Sequence, residues 1–553
     1  MASSTDDELM EAYKIAISCN KIYALEYDNS ADSMMKMAFD EEYSDTRKKW
    51  ILSWNTRLYT STIEGKFPLG SLSRFIAGPL CGFSYANVHR TIPSVIDGLK
   101  ESQRKIMAVM LSLPKSSKLK VSQLKGDIDK KMHYRHGEES LTRTIIGMAN
   151  DSVGTNNIAY IQALGQFDSR LGKCAGQARY INVSPHVLMP YIFRSEDECI
   201  LEYMKDGDDT IEPRCYYPIL PMFAINGTCG IGTGFSTDIP SYNPNDIIRY
   251  INWWICTFKE GGKVDKPDLK PWYRNYQGKI ERINGRWYSI GDYKEIPSRK
   301  RYKDILVTEL PVTQTIESYS TMLKKLKEKP IMDPTLYEQQ LSEQKLKKKK
   351  CPTYISQFRP GTERLILKMG GRKHIELLPR ITIEEPIGIY KDGSKPIVSL
   401  RLIEKISDTN IVLLDNKDIP KIFDNSIYYA IDTYCQHRYD AYVNRRNKKM
   451  KEWKDLIDHH LLRIKFIELV NDGLILMKDR SKQDIISDLE KYNMPSSFLK
   501  MPIHSLSPDG IHHIKGEIDR IQIKLDDYQK LSAGKIWIRE LGELFDKCKK
   551  YYG

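Results

Sequence analysis

Residues 132–152 read "MHYRHGEESLTRTIIGMANDS", in which a charged run, MHYRHG, leads into an amphipathic helix over EESLTRTIIGMANDS. Upstream, the apolar positions Ile92, Val95, Ile96, Leu99, Ile106, Met107 and Met110 fall at helical spacing between Thr91 and Leu113. Asp97-Gly98 interrupts them and Pro114 follows, which predicts two short helices at an angle. Downstream, short β-rich pieces separated by Gly, Asn and Pro run to about residue 240. Helices followed by short strands point to helix-turn-helix elements with a β wing, and Arg90, Lys100, Arg104 and Lys105 give this region a basic face.

Outward from that region the chain changes character twice. At 553 residues it exceeds one compact core and predicts about three or four units. From 245 to 415, pieces such as GKIERI, RWYSIG, DILVTELP, RLILKM and PIVSLRLI alternate apolar and polar residues, predicting a separate α+β domain interrupted by a loop with Lys345 and Lys347 to Lys350. From Ser426 to Asp472 there is neither glycine nor proline, enough for a helical rod about 70 Å long. Ile427, Ala430, Ile431, Tyr434 and Ala441 form its apolar seam, with Arg438, Arg445, Arg446 and Lys448 to Lys451 as polar neighbours. A second helical stretch, Ile514 to Leu531, is expected to pair antiparallel with it, residues 455–505 folding at the tip. The fold class is thus α+β multidomain, with units at 1–75, 76–244, 245–415 and 416–553.

Hydrophobic residues make up 41% and charged residues 28%, and no apolar run approaches the roughly 18 residues of a membrane span. MASSTDDELM has neither a basic flank nor an apolar core, so it does not read as a secretory signal and an intracellular protein is expected. The ten cysteines contain no C-x-x-C pair, which disfavours a zinc site and a disulfide framework. The net charge of +13 favours a polyanionic partner, nucleic acid before membrane.

Arg179-Tyr180, within GQARYINVSP (176–185), is the sharpest chemical candidate. A phenol with pKa about 10 needs a nearby cation, base or metal to become a nucleophile. Arg179 supplies charge, and Gly172, Ala175, Gly176 and Ala178 leave room for a phosphodiester backbone. The alternative, two ordinary residues entering a strand, stays open. His136 with His133 suits a helix cap or two ligands of a metal, but no third ligand stands nearby.

NGTCGIGTG (226–234) invites the label of nucleotide loop, yet no G-K-[ST] follows. Ile231 in that run is either a wedge for a DNA step or a buried residue in a tight turn. His460 and Arg463, followed by Tyr492, resemble the H-x-x-R and tyrosine of tyrosine recombinases, but the pair is most simply a solvated helix face. KDGDD (205–209) reads as a turn more readily than as a metal site.

Taken in order, several motifs resemble the type IIA DNA topoisomerases of the eukaryotic and viral kind. They are RTIPSVIDGLKESQRK (90–105), YRHGEESLTRTIIGMANDSVGTNN (134–157), GQFDSRLG (165–172) with ARYINVSP (178–185), and IEPRCYYPILPMFAINGTCGIGTGFSTDIPSYNP (211–244). ELPV (309–312), MPIHSL (501–506) and WIRELGELF (537–545) extend the resemblance to essentially the whole chain.

The resemblance implies that Tyr180 is the nucleophile forming a 5′-phosphotyrosyl link and that Arg179 steadies the scissile phosphate. His136 matches the second histidine of Y-H-H-G, while Arg135 replaces the first. Arg90, Lys100, Arg104 and Lys105 match basic positions near bound duplex DNA, and Ile231 matches an intercalating isoleucine. It also implies a homodimer through a C-terminal gate, a tower domain at 245–415, and a winged-helix cleavage domain at 76–244.

Family members hold Mg2+ in a Toprim domain through a glutamate and D-x-D-x-D, and hold ATP in a separate ATPase domain. The D-x-D-x-D pattern does not occur here; SSTDDELMEAYK (3–14) and KMAFDEEYSDTRKKW (36–50) resemble the segment that follows Toprim. A breakage-reunion fragment or one chain of a split enzyme is therefore expected, needing those regions for full activity. Without a long charged tail after Trp537, a large-DNA-virus version acting in host cytoplasm is expected, a cellular one being nuclear. The competing reading is an architectural winged-helix protein that bends DNA without cutting it.

Overall fold

The computed structural model describes residues 5–18, 25–54, 70–296, 303–327, 355–367, 373–383, 401–423, 426–475, 481–500, 502 and 507–552. The loop with Lys345 and Lys347 to Lys350, and most of MPIHSL, lie outside them.

Between Thr91 and Leu113 only one helix forms, Glu101–Ser112, rather than the two expected from periodicity. Asp97 accounts for the difference. Its Oδ1 accepts from Leu99 N at 2.9 Å, Gly98 takes φ +69°, and Ser94 N donates to Leu99 O, so residues 94–99 close a turn whose apolar side chains are buried without a helix. Lys100 N then donates to Gln103 Oε1 at 3.0 Å, covering a free end of the helix that follows.

Helices Glu101–Ser112, Val121–Met132 and Glu138–Ala149 bury one face each, through Ile106, Met107 and Met110, Val121, Leu124 and Ile128, and Leu141, Ile145 and Met148. Each such side chain contributes about 1.5–3 kcal/mol over an exposed one. Strand Asn182–Pro185 pairs antiparallel with Leu119–Lys120 on one side and Ile161–Leu164 on the other. This is the helix-plus-wing arrangement expected of the opening stretch.

Two β-rich pieces follow. Strands Ile403–Lys405, Arg286–Ile290 and Lys279–Ile283 form one antiparallel sheet. Asp292–Ile296, Lys303–Glu309, Lys373–Ile383 and Ile355–Leu367 form a second, followed along the chain from Glu309 by helix Ile316–Lys327.

Helix Ile427–Asn471 has 45 residues, roughly 68 Å at the α-helical rise. Helix Pro508–Lys530 runs antiparallel beside it: Arg446 reaches Leu531 O and Gln529 O, Trp453 meets Tyr528, His460 faces Glu517 and Ile464 packs near Ile514. A small cluster of Phe466, Ile467, Ile485, Leu489, Met494 and Phe498 closes the tip.

The near half of the long helix corrects the expected seam. Arg438 and Arg445 are not a polar rim but are buried against the body, pairing with Asp197 at 2.9 and 3.1 Å, and Arg445 also with Glu540 at 2.6 Å. Glu540 belongs to the final helix Ala533–Tyr552, where Trp537 donates through Nε1 to Ile219 O. No helix among the described residues is long and apolar enough to cross a membrane.

Candidate functional site

Tyr180 sits at the end of a folded loop between strands Ile161–Leu164 and Asn182–Pro185. The loop is tied across itself by Gly176 N to Gln166 O (3.0 Å), Ala175 N to Asp168 Oδ1 (3.0 Å) and Gln166 Nε2 to Cys174 O (2.9 Å). The start of helix Val121–Met132 holds its far end, Ser122 N donating to Ala178 O and Val121 N to Ile181 O. Ile181 turns inward and is buried, so its neighbour Tyr180 turns outward and is 72% exposed. The exposed Arg179 guanidinium lies 5.5 Å from the Tyr180 ring centroid. The two residues precede the strand rather than belonging to it, and a phenol and a cation face outward together.

The glycine-rich run is a hairpin, Thr228–Ile231 with Ser236–Ile239, laid on helix Cys81–Thr91. A Cβ at Gly230 would meet the Thr91 carbonyl oxygen, and one at Gly232 would come within 2.7 Å of Thr91 Oγ1. Close approach of backbone to helix, not a phosphate cradle, explains those glycines. Asn87 Oδ1 accepts from Thr233 N at 3.0 Å, and Lys100 Nζ donates to Cys229 O at 2.6 Å. At the end of its strand, Ile231 is 79% exposed. A buried isoleucine is thereby excluded.

Arg90 ends helix Cys81–Thr91, where a cation complements the carbonyl end of the helix. Burial lowers the His136 pKa, with Arg90 beside it acting in the same direction, so its imidazole is neutral at neutral pH. His136 and Tyr180 stand at opposite ends of helix Val121–Met132, about 18 Å of helix apart. Burial also lowers the Lys100 ammonium.

Arg104 and Lys105 differ from their expected place at a DNA-facing surface. Arg104 forks onto Asp97, Nε to Oδ2 at 2.8 Å and NH2 to Oδ1 at 3.2 Å. Lys105 Nζ donates to Glu212 and to Met132 O. Both cations face inward because Asp97 and Glu212 are buried carboxylates that need them.

His133 is clasped by the KDGDD turn: its Nδ1 lies 3.0 Å from Asp206 Oδ2 and its Nε2 3.2 Å from Asp209 Oδ2, with Arg135 also on Asp206. Gly207 at φ +65° makes that hairpin turn possible. Among the described residues no group of three or more His, Cys, Asp and Glu is placed to hold a metal ion. His460 is buried on the long helix and Tyr492 packs on the tip cluster, far along the rod from the winged-helix region.

Sequence reading missed Asp97, Glu212, Arg170 and Glu309 as organising residues. Each is a charged residue inside or beside a mostly apolar motif, and that signal was present in VIDGLK, IEP and ELPV.

Residues 90–347 match the DNA gyrase/topoisomerase IV family model. The chain is 28% identical over 540 residues to DNA topoisomerase 2 of Invertebrate iridescent virus 6, covering 95% of this chain and 43% of that protein. It is 29% identical over 542 residues to DNA topoisomerase 2, mitochondrial, of Dictyostelium discoideum, covering 95% of this chain and 38% of that protein. The chain thus spans less than half the length of these curated relatives. Its fold matches the crystal structure of the Plasmodium falciparum topoisomerase II DNA-binding, cleavage and re-ligation domain with a TM-score of 0.73 at 23% identity, covering 99% of this chain and 74% of that one.

Proposed function

We propose, for a chain that is a relative of the type II DNA topoisomerases, that it is the part of such an enzyme that binds, bends and reversibly cuts duplex DNA. The observation that carries this reading is the outward pairing of Tyr180 with Arg179 on a loop pinned at both ends. Exposed cations attract the phosphate backbone whatever its sequence. Ile231, standing off its hairpin, is suited to enter between base steps, an act that costs a few kcal/mol of unstacking and bends the duplex.

In the proposed step the Tyr180 oxygen attacks phosphorus in line with the bond to the 3′ oxygen. The phenolic proton departs, a phosphotyrosyl ester forms on the 5′ side, and the leaving 3′ oxygen takes up a proton. One phosphoester replaces another, so the reverse attack by the 3′-hydroxyl reseals the strand. Arg179 steadies the phosphate through charge-assisted hydrogen bonds, and neutral His136 offers an N–H to a neighbouring phosphate.

The described residues provide no donor set for a metal, and no step is assigned to one on this chain. Mg2+ and ATP are assigned to Toprim and ATPase regions outside this sequence. A homodimer closing through the paired helices of the rod would present two Tyr180 side chains to opposite strands, and a viral origin fits the iridescent virus relative.

The test is a duplex labelled on the strand that becomes 5′-linked, incubated with this chain, Mg2+ and a Toprim-bearing partner. Label should become covalently attached to the chain, and Tyr180→Phe should abolish attachment while duplex affinity stays within about twofold. Adducts that persist in Tyr180→Phe would overturn the assignment; duplex bending without any adduct in the unsubstituted chain would support the architectural alternative.

A further inference from the structure

Arg170 lies on the same loop as Tyr180, upstream of it, and is 4% exposed. Its NH2 donates to Glu309 Oε1 at 3.1 Å, Leu310 O at 2.7 Å and Pro311 O at 3.0 Å. The backbone returns the contact: Ile316 N donates to Arg170 O and Glu317 N to Leu171 O, both at 2.9 Å. Gly172 packs so closely on Glu317 that a Cβ there would collide with its carboxylate. Glu309 is held in turn, Oε2 accepting from Gln277 N at 3.2 Å and Oε1 from Leu310 N at 3.0 Å.

The residues around Arg170 are therefore fastened to the junction between strand Lys303–Glu309 and helix Ile316–Lys327. From there the loop runs through its own cross-bonds to Tyr180, whose far side is fastened to helix Val121–Met132. Arg170 Nε and NH1 are buried without hydrogen-bond partners. An apolar side chain would fill the space without that penalty, so packing alone does not account for a guanidinium here.

Resting on the reading of Tyr180 as nucleophile, we propose that Arg170 is a positioning residue. Its clip to Glu309 and the 310–311 carbonyls makes the placement of Tyr180 depend on the docking of the sheet-bearing unit. The clip acts through the loop and touches no reacting atom. Deformation of a duplex lying along both units would reach the tyrosine by this route.

The experiment compares the full chain with Arg170→Lys and Glu309→Gln, both near-isosteric, so that neither depends on tolerating a cavity. With the Toprim-bearing partner and Mg2+, the maximal rate of adduct formation should fall at least tenfold in each, while the DNA concentration giving half-maximal rate changes less than twofold. Amide hydrogen exchange on the chain alone should quicken at residues 172–180 and stay unchanged in helix Glu138–Ala149. A rate that is unaltered, or one that falls only in step with affinity, overturns the proposal, as does unchanged exchange at 172–180. If the unsubstituted chain forms no adduct, it is the functional reading that fails, and the exchange measurement still decides whether the clip holds the loop.

Discussion

The ammonium of Lys105 lies 2.7 Å from Glu212 Oε1, and the two side chains are only 8% and 1% exposed. The same ammonium donates to Met132 O at 2.8 Å, joining helix Glu101–Ser112, strand Asp209–Pro213 and the segment that leads to His136. One buried charge thus fixes three elements, and the position of His136 follows from it.

Removing one member of this pair leaves the other buried and uncompensated. Glu212→Ala should lower unfolding free energy by about 3–5 kcal/mol, read from urea melts. A loss under about 1 kcal/mol would show that Lys105 finds water in the folded chain.

Salt dependence separates the inward cations from the outward ones. Arg90→Ala should reduce the slope of log affinity against log salt for duplex DNA by about one, whereas Lys105→Met should leave the slope alone. Equal reductions would return Lys105 to the DNA surface and undo the assignment made from its ion pair.

Ile231 makes the wedge proposal separable from stability. Because the side chain is exposed, Ile231→Ala should change folding free energy by no more than about 0.5 kcal/mol. DNA bending, followed by energy transfer between end labels, should nevertheless fall sharply, and a duplex already kinked by a bulge should regain most of the lost affinity. An unaltered bend in Ile231→Ala would remove the wedge.

Periodicity and turn residues were enough to read the helix-plus-wing region, the long helix and its antiparallel partner. Those features are local, each set by side chains a few positions apart. The expected second helix at 92–100 failed because Asp97 and Gly98 close a turn, and apolar residues in a turn can be buried as fully as those on a helix. Arg438 and Arg445 looked like a solvated rim because Asp197 and Glu540, which neutralise them, lie far away in sequence. Long-range ion pairs leave no mark in a window of helical spacing. Tyr180 was singled out by its arginine and small neighbours, but its outward orientation comes from Ile181 turning inward, which only packing reveals.

His186 gives a pH dependence with a definite sign. Its Nδ1 accepts from Leu188 N at 3.2 Å, which requires that nitrogen to be unprotonated, and its ring meets Tyr551 edge-on at 5.2 Å. Burial, assisted by Arg274 and opposed by Asp151, pushes its pKa down to about 4 from the ordinary value near 6.5. Between those values the unfolded chain binds a proton that the folded chain refuses. Stability contributed by the neutral ring is therefore complete above about pH 6.5, declines as pH falls, and levels off below about 4. His89, His136, His437 and His460 are shifted in the same direction, chiefly by burial, and add to the decline. His186→Asn, whose amide oxygen can accept from Leu188 N, should lower the slope of unfolding free energy between about pH 6 and 4.5 by roughly one proton. Urea melts at stepped pH measure it, and parallel curves for the two proteins would mean that His186 titrates in the folded chain as it does in the unfolded one.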